Sequence, residues 1–332
     1  MIPAQCDGSH ERLTRRPSGL TPWPVTLISS TPHAGATWAC AAASGSELVA
    51  RTLWVGAGED EPDDYANVPG ADFEIVPTSG TYADIVSGLR WASSLPAGDD
   101  GRPNLLVLDS GTGVWDLLGA MAHAQAVQRA LAARTRPGQD DEVVIGRDLW
   151  TEARERWDVV MDVLRAHPGP SLITARLDEV PIIDDEGRAT RERLWRVQGH
   201  KTLPSTVDVH VQLPDRGRAV LVGVKTTRMP FLERAELDAF TVDRLWRDLG
   251  LGDGMGFRAH ASTYAGESPV DVARRAVAQA ATAAGVPLEA VAAEWAAAHD
   301  GQSIRAATDA RALELLAVDL RDRAARKEPV PS

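Results

Sequence analysis

At 332 residues the chain has room for one large domain or two modest ones, and with 44% hydrophobic and 25% charged residues it resembles an ordinary globular protein able to bury a core. No run approaches the roughly 18–20 apolar residues of a membrane span, and Cys6 and Cys40 are too few for a disulfide framework or a four-ligand zinc site. A net charge of −12 argues against holding nucleic acid by bulk electrostatics and leaves room only for a local basic groove. With no charged-then-apolar leader before a cleavage site, the expected location is a reducing cytoplasm. The 10 tryptophans against 4 phenylalanines are an odd ratio, and the simplest reading is that Trp fills core positions.

Residues 1–24 are polar, broken by Pro3, Pro17, Pro22 and Pro24, and read as a loose leader. From Val25 a short β-branched run, Val25–Ser29, predicts a strand, followed by a turn and a small-residue helix over about 37–50. Further strands are expected at 51–56 and 73–77, with a helix over 81–95. The apolar run 103–109 ends in a carboxylate, as a strand buried on both faces would. Helices at about 114–134 and 148–166 lead to a buried strand at 171–177. Short strands at 180–183, 194–199, 207–213 and 219–226 are then separated by turn-like Asp184–Gly187 and Pro214–Gly217. A helix near 233–249, a Gly-rich linker over 251–268 and an Ala-rich helical appendage over 269–332 complete the expectation. The core, 25–250, is thus expected to be α/β: a mainly parallel sheet with helices on both faces and an antiparallel hairpin extension.

The chemistry concentrates where the first strand ends. A phosphate-binding loop needs a strand, a turn whose backbone N–H groups face the ligand, a Lys for the β/γ-phosphates and a hydroxyl for magnesium at a helix start. Laid on G-x-x-x-x-G-K-[ST], the chain reads Ser30-Thr-Pro-His33-Ala34-Gly35-Ala36-Thr37. The second Gly and the hydroxyl are present; Ser30 stands for the first Gly and Ala36 for the Lys. Well beyond the helix, a hydrophobic strand ends in Asp109-Ser110, as a Walker B strand does, and an acidic loop, Glu59–Glu61, follows the second strand.

From Val25 to about Arg228, roughly 200 residues, the chain resembles the RecA-like "AAA ATPase" proteins of bacteriophages, especially of actinobacterial hosts, which are linked to single-strand-annealing recombination. The carrying residues are Leu27–Ser29, Gly35, Thr37 and Trp38, with Gly70–Val76 and Gly80–Ile85. Leu106–Ser110 with Trp115, Leu172–Arg176 and Gln198–Pro204 complete the set. The resemblance implies a RecA-like P-loop NTPase core, ATP and magnesium as cofactors, assembly into a homo-oligomer, and single-stranded DNA as a partner. By it, Thr37 would ligate magnesium, Asp109 would support the ion through water, and Glu59 would orient the attacking water. Thr174 or Arg176 would sense the γ-phosphate, and Lys201 would be a positive group near the nucleotide, in this subunit or the next.

The departures carry weight. Losing the P-loop Lys removes a charged donor worth about 1.5–3 kcal/mol, or roughly ten- to 150-fold in affinity. Ser30 spoils a close backbone approach and Pro32 removes one N–H. Three explanations stand: a non-hydrolysing relative that keeps the fold, a protein that binds nucleotide without efficient turnover, or a site restored by Lys201, Arg176 or Arg228. A nucleotide-independent scaffold that keeps the fold for assembly or DNA contact is the reading from another class.

Plainer roles compete for each residue. Asp109 or Ser110 is also a good helix N-cap, Glu59 belongs to a solvated acidic loop, and His33 to an exposed turn. Lys201 suits an edge strand that resists aggregation. Arg188, Arg191, Arg193 and Arg196 line one hairpin as a DNA rim, or as a mixed surface offset by Asp184–Glu186 and Glu192. Arg321, Arg323, Arg326 and Lys327 complement a helix dipole or contact a phosphate backbone. The stripe Val272, Ala276, Ala280 and Ala283 suits packing on the main domain or on a neighbouring subunit. There is no H-x-x-x-H or C-x-x-C ligand pair, no G-x-S-x-G elbow and no dinucleotide G-x-G-x-x-G after a strand.

Overall fold

The computed structural model of the chain describes residues 17, 19–59, 61–132, 143–184, 187–229, 234–252, 256, 260, 269–299, 303, 304, 307 and 310–325. The chain divides into two compact units, Met1–Ser262 and Thr263–Ser332.

In the first unit the buried runs become strands: β1 (Val25–Ser30), β2 (Thr52–Gly56), β3 (Glu74–Val76), β4 (Leu105–Asp109), β5 (Ser171–Ile183), β6 (Ala189–Val197), β7 (Val209–Asp215), β8 (Arg218–Val224) and β9 (Ala235–Glu236). They form one sheet in the order β3-β2-β4-β5-β1-β7-β8-β9, with β6 paired to β5 alone. The pairings from β3 through β7 along this order are parallel, whereas β8, β9 and β6 add antiparallel partners. Parallel strands need both faces covered, and the helices supply the cover. On one face lie α2 (Tyr82–Ser94), α3 (Gly111–Ala132) and α4 (Arg147–Ala166), packed over Leu27, Leu53, Leu106 and Ile173. On the other lie α1 (Ala36–Ser44) and, later in the chain, α6 (Val242–Asp248), packed over Ile28, Trp54, Val107 and Leu172. A single helical turn, α5 (Leu203–Thr206), precedes β7. Together with β5, which lies between β1 and β4, this is an α/β, RecA-like core.

Three elements differ from the expectation. The strands read at 171–177 and 180–183 are one strand: Ser171–Arg176 pair with β1 inside the sheet, whereas Leu177–Ile183 pair only with β6. Pro181 sits in that outer stretch next to a register shift, where a missing N–H is tolerated. The helix read at 233–249 is shorter. Ala235–Glu236 join β8, and α6 begins only at Val242, where the Thr241 hydroxyl accepts from the Arg244 N–H. Residues 21–24 are not loose: the Thr21 hydroxyl donates to the Leu249 carbonyl, and Trp23 packs against the α1 side of the core.

The second unit contains α7 (Pro269–Ala284), α8 (Leu288–Ala298) and α9 (Ala310–Ala325). The buried stripe of α7 is Ala273, Val277, Ala280 and Ala284, offset by one position from most of the expected one; it packs with Val291, Trp295, Leu313 and Leu320 of its own unit. Arg323 is held by Glu294 and Asp319, and Arg326 and Lys327 lie outside the described residues. No helix among the described residues is long and apolar enough to cross a membrane.

Candidate functional site at the carboxyl edge of the parallel strands

The strands β1, β4 and β5 run in the same direction, so Ser30, Asp109 and Arg176 reach one edge of the sheet together. The loop after β1 is tied to the neighbouring strand: Thr31 donates its N–H to the Leu213 carbonyl and its hydroxyl to the Pro214 carbonyl. The Ala34 N–H closes a turn onto Thr31. Gly35 is the N-cap of α1 with φ 107°, and a Cβ there would meet nothing closer than 4.0 Å. The glycine is therefore demanded by its left-handed backbone and not by crowding. His33 shares the positive φ, at 64°, and its side chain is exposed. The first-turn N–H groups of α1 have no partner inside the helix, which is the arrangement that receives anions.

Ala36 occupies the lysine position. Its methyl is buried at 7% exposure within the apolar cluster that also holds Ala34 and Cys40. This half of the edge contributes dipoles and no charge.

The carboxylate half is denser. Asp109, 5% exposed, accepts from the Thr174 hydroxyl, and the Thr37 hydroxyl lies close enough to act on its carboxyl. Burial raises the Asp109 carboxyl above the usual range; the bond from Thr174 opposes this, the negative charge of Glu59 adds to it, and Thr37 and Arg176 oppose it. The Ser110 hydroxyl donates to Glu59 at 2.8 Å and accepts the Gly113 N–H at 3.0 Å, so Ser110, not Asp109, caps α3. Glu59 also pairs with the Arg176 guanidinium at 2.8 Å. The Thr112 hydroxyl links the same point to the hairpin, accepting from the Arg176 N–H at 2.9 Å and donating to the Gln198 carbonyl at 2.6 Å. Glu59, Asp109, Thr37, Thr174 and Arg176 thus meet at one place, although Asp60 beside Glu59 lies outside the described residues.

The remaining candidates are distributed differently. Lys201 is exposed next to His200, whose ring packs on Trp115 and Trp157 over the α3–α4 layer. Arg228 lies at the opposite edge of the sheet, one strand length or roughly 20 Å from the loop. There it lines a cavity of ≈ 400 Å³ with Asp208, Lys225 and Thr226, and Asp208 accepts the Val25 N–H at 3.0 Å. Arg228 of the same subunit is therefore not a substitute for the missing lysine. Of the hairpin arginines, Arg188 pairs with Asp184 and Arg196 with Asp178, while Arg191 and Arg193 are exposed.

Two features beneath the loop carried no sequence signal. The Ser29 hydroxyl meets His210 Nε2 at 2.7 Å in the buried interior, and burial, aided by the positive charge of Arg234, pushes the imidazole down to about 4. Arg234 in turn donates to Gln212 at 2.9 Å, one strand away from Ser29 in register. Only the pairing of β1 with β7 brings these groups together.

The donors at the edge are hard oxygens suited to magnesium: one hydroxyl, Thr37, and one carboxylate, Asp109. Among the described residues no group of three or more His, Cys, Asp or Glu could hold a metal by itself, so an ion here would need phosphate oxygens to complete its shell. Magnesium would supply charge neutralisation between phosphates. The chain would supply the hydroxyl, the buried carboxylate and the helix N–H groups, without the lysine.

No protein-family model matches the chain, and no curated protein matches it. Among solved structures it is similar to the crystal structure of the RadB recombinase, with 17% identity and a TM-score of 0.37 over 67% of this chain and 90% of that one. It is also similar to a prototypical ATPase from the type III secretion system of pathogenic bacteria, with 10% identity and a TM-score of 0.34 over 90% of this chain and 80% of that one. Likeness at this level is too slight to bear on function; the sheet order and the edge geometry carry the assignment of the core.

Proposed function

We propose that the chain is a RecA-like, P-loop-type protein of DNA recombination or replication, of the bacteriophage kind, with a nucleotide site weakened by Ala36. It binds magnesium–ATP at the carboxyl edge of the sheet, turns it over poorly or not at all, and works as a homo-oligomer on single-stranded DNA. The observation that supports this most is the buried Asp109 at its strand end, which accepts from the Thr174 hydroxyl of β5 and whose carboxyl the nearby Thr37 hydroxyl of α1 helps to hold down. A helix cap would need neither, and Ser110 already caps α3.

In this reading the N–H groups of Gly35, Ala36 and Thr37 hold the phosphates and Thr37 faces the metal. Glu59 is the group that orients water, and in the structure it is engaged by Arg176 and Ser110. Phosphoryl transfer depends on positioning and charge neutralisation, so the absent lysine costs turnover at least as much as binding.

Calorimetric titration of magnesium–ATP into the wild type and Asp109→Ala tests the proposal. The expected result is weak, magnesium-dependent binding in the wild type that the variant loses. Equal binding by both proteins would refute the assignment. Absence of binding by the wild type, with the fold intact, would favour the scaffold reading, for which the burial of Ala36 is the supporting observation.

A further inference from the structure

Tryptophan does not only fill the core. Trp54, Trp157 and Trp246 are fully buried, but Trp38, Trp91 and Trp150 are 53%, 49% and 41% exposed. Of these three, Trp150 has an aromatic neighbour behind it. Its ring lies over Trp115 with centroids 6.0 Å apart and planes 27° apart. Trp115 is held from the other side by Trp157 at 6.2 Å, edge-on, and by His200 at 4.8 Å. The result is a ladder of rings that starts in the core and ends on the surface at Trp150, with the outermost ring backed by a fixed partner.

Cations flank that end. Arg147, Trp150 and Arg154 lie at i, i+3 and i+7 of α4, on one helix face spanning roughly 10 Å. Both arginines are exposed, and Lys201, also exposed, follows His200 at the other end of the ladder. Among the described residues none of these three cations makes an ion pair, in contrast to Arg129, whose partner is Asp148 of α4, and Arg156, which Glu152 holds. The acidic groups nearby are Asp148, one position from Arg147 and paired with Arg129; Glu155, one position from Arg154; and Asp158, whose charge acts on His200 together with those of Arg154 and Lys201. On a chain of net charge −12, the helix face of Trp150 thus presents two arginines with no direct ion-pair partner among the described residues.

Sequence-tolerant binding of single strands combines these two features: aromatic faces on which bases stack and cations along the phosphate backbone. We infer that the Trp150 face of α4, with Trp115 behind it and Arg147 and Arg154 on the same helix face, is a docking surface for single-stranded nucleic acid. Duplex DNA, whose bases are already stacked, cannot use the ring in this way. The surface gives a location to the DNA role proposed above and rests on it. Trp115 stands about one helical turn beyond Gly111, close to the Asp109 edge but on the α3–α4 face.

The test uses the full-length protein and a fluorescein-labelled 20-mer of oligothymidylate, with a labelled duplex of the same length, read by fluorescence anisotropy at several salt concentrations. Trp150→Ala should weaken single-strand binding about five- to 150-fold, and Trp150→Phe should retain most of it. Replacing Arg147 and Arg154 together by Ala should weaken binding and reduce the salt slope by about 0.7 for each phosphate that is no longer neutralised. Thermal unfolding of each variant checks that the fold is kept. If the wild type binds the oligomer and these variants bind it equally well, the surface is wrong while the DNA role survives. If the wild type binds neither oligomer, both fall, whatever the nucleotide titration shows. Loss of self-association in Trp150→Ala, with unchanged oligomer binding, would assign the face to a second copy of the chain and overturn the inference.

Discussion

The carboxyl edge of the sheet is made of two halves that have fared differently. The half built by β4, β5 and the loop after β2 keeps a buried acid, two hydroxyls, a second carboxylate and its arginine partner. The half built by the loop after β1 has a left-handed glycine and a helix start, with the buried methyl of Ala36 where the P-loop pattern has a lysine. The contrast teaches that backbone geometry and site charge are separable. The strand–turn–helix shape is specified by packing beneath it, with Leu27 and Ile28 completely buried, whereas the side chain at position 36 has only to fit an apolar cluster.

The ground beneath the loop is where the largest stability effect is expected, and it tests whether packing alone holds the loop's shape. His210 has its folded value pushed down to about 4 against 6.5 unfolded. The unfolded chain therefore binds more protons between those values. Stability is complete above about pH 6.5 and falls as pH drops towards 4, by about 3 kcal/mol in all. Urea midpoints from pH 7 to 4.5 should show this loss, and His210→Asn should flatten it; an unchanged slope in the variant would assign the loss to the carboxylates.

Thr174→Val comes next. It leaves Asp109 without the donor that does most to hold its carboxyl down, at a cost of about 1–3 kcal/mol in stability. Magnesium needs the ionised acid, so magnesium-dependent binding should rise with pH through a midpoint above the ordinary carboxylate range, and the variant should move that midpoint higher. A midpoint that does not move would show that Asp109 is not the group being titrated.

The smallest effect belongs to Arg176→Ala. The pair with Glu59 is partly exposed and such pairs contribute about 0–1 kcal/mol, so stability should hardly change. The released Glu59 should alter any residual ATP hydrolysis by a few-fold, measured as phosphate release. No change in rate would remove Glu59 from the proposed chemistry.

Much of this edge was legible in the sequence, for local reasons. A β-branched run before Gly35, and an unbroken apolar run before Asp109, leave little freedom in where strands and turns fall. What was not legible is mostly long-range. Glu59 and Arg176 are 117 positions apart, and nothing in either neighbourhood announces their pairing. The stretch 180–183 reads as a separate strand because Asp178 and Glu179 interrupt the apolar run, yet it continues β5 beyond the sheet, where only β6 needs to be satisfied. Composition misdirected on tryptophan: counting them suggests core, and only the packing of α3 on α4 shows that Trp150 ends at the surface.

In the proposed reading the charge absent at Ala36 is the principal defect of the nucleotide site, and restoring that charge is the most direct test. Magnesium–ATP affinity should be measured by calorimetry for the wild type, Ala36→Lys and Ala36→Lys with Asp109→Ala. The expected result is a gain of roughly ten- to 150-fold on adding the lysine, and loss of the magnesium-dependent part of binding when Asp109 is removed as well. A folded Ala36→Lys protein that binds no better than the wild type, or whose gain is the same without magnesium or without Asp109, would contradict it.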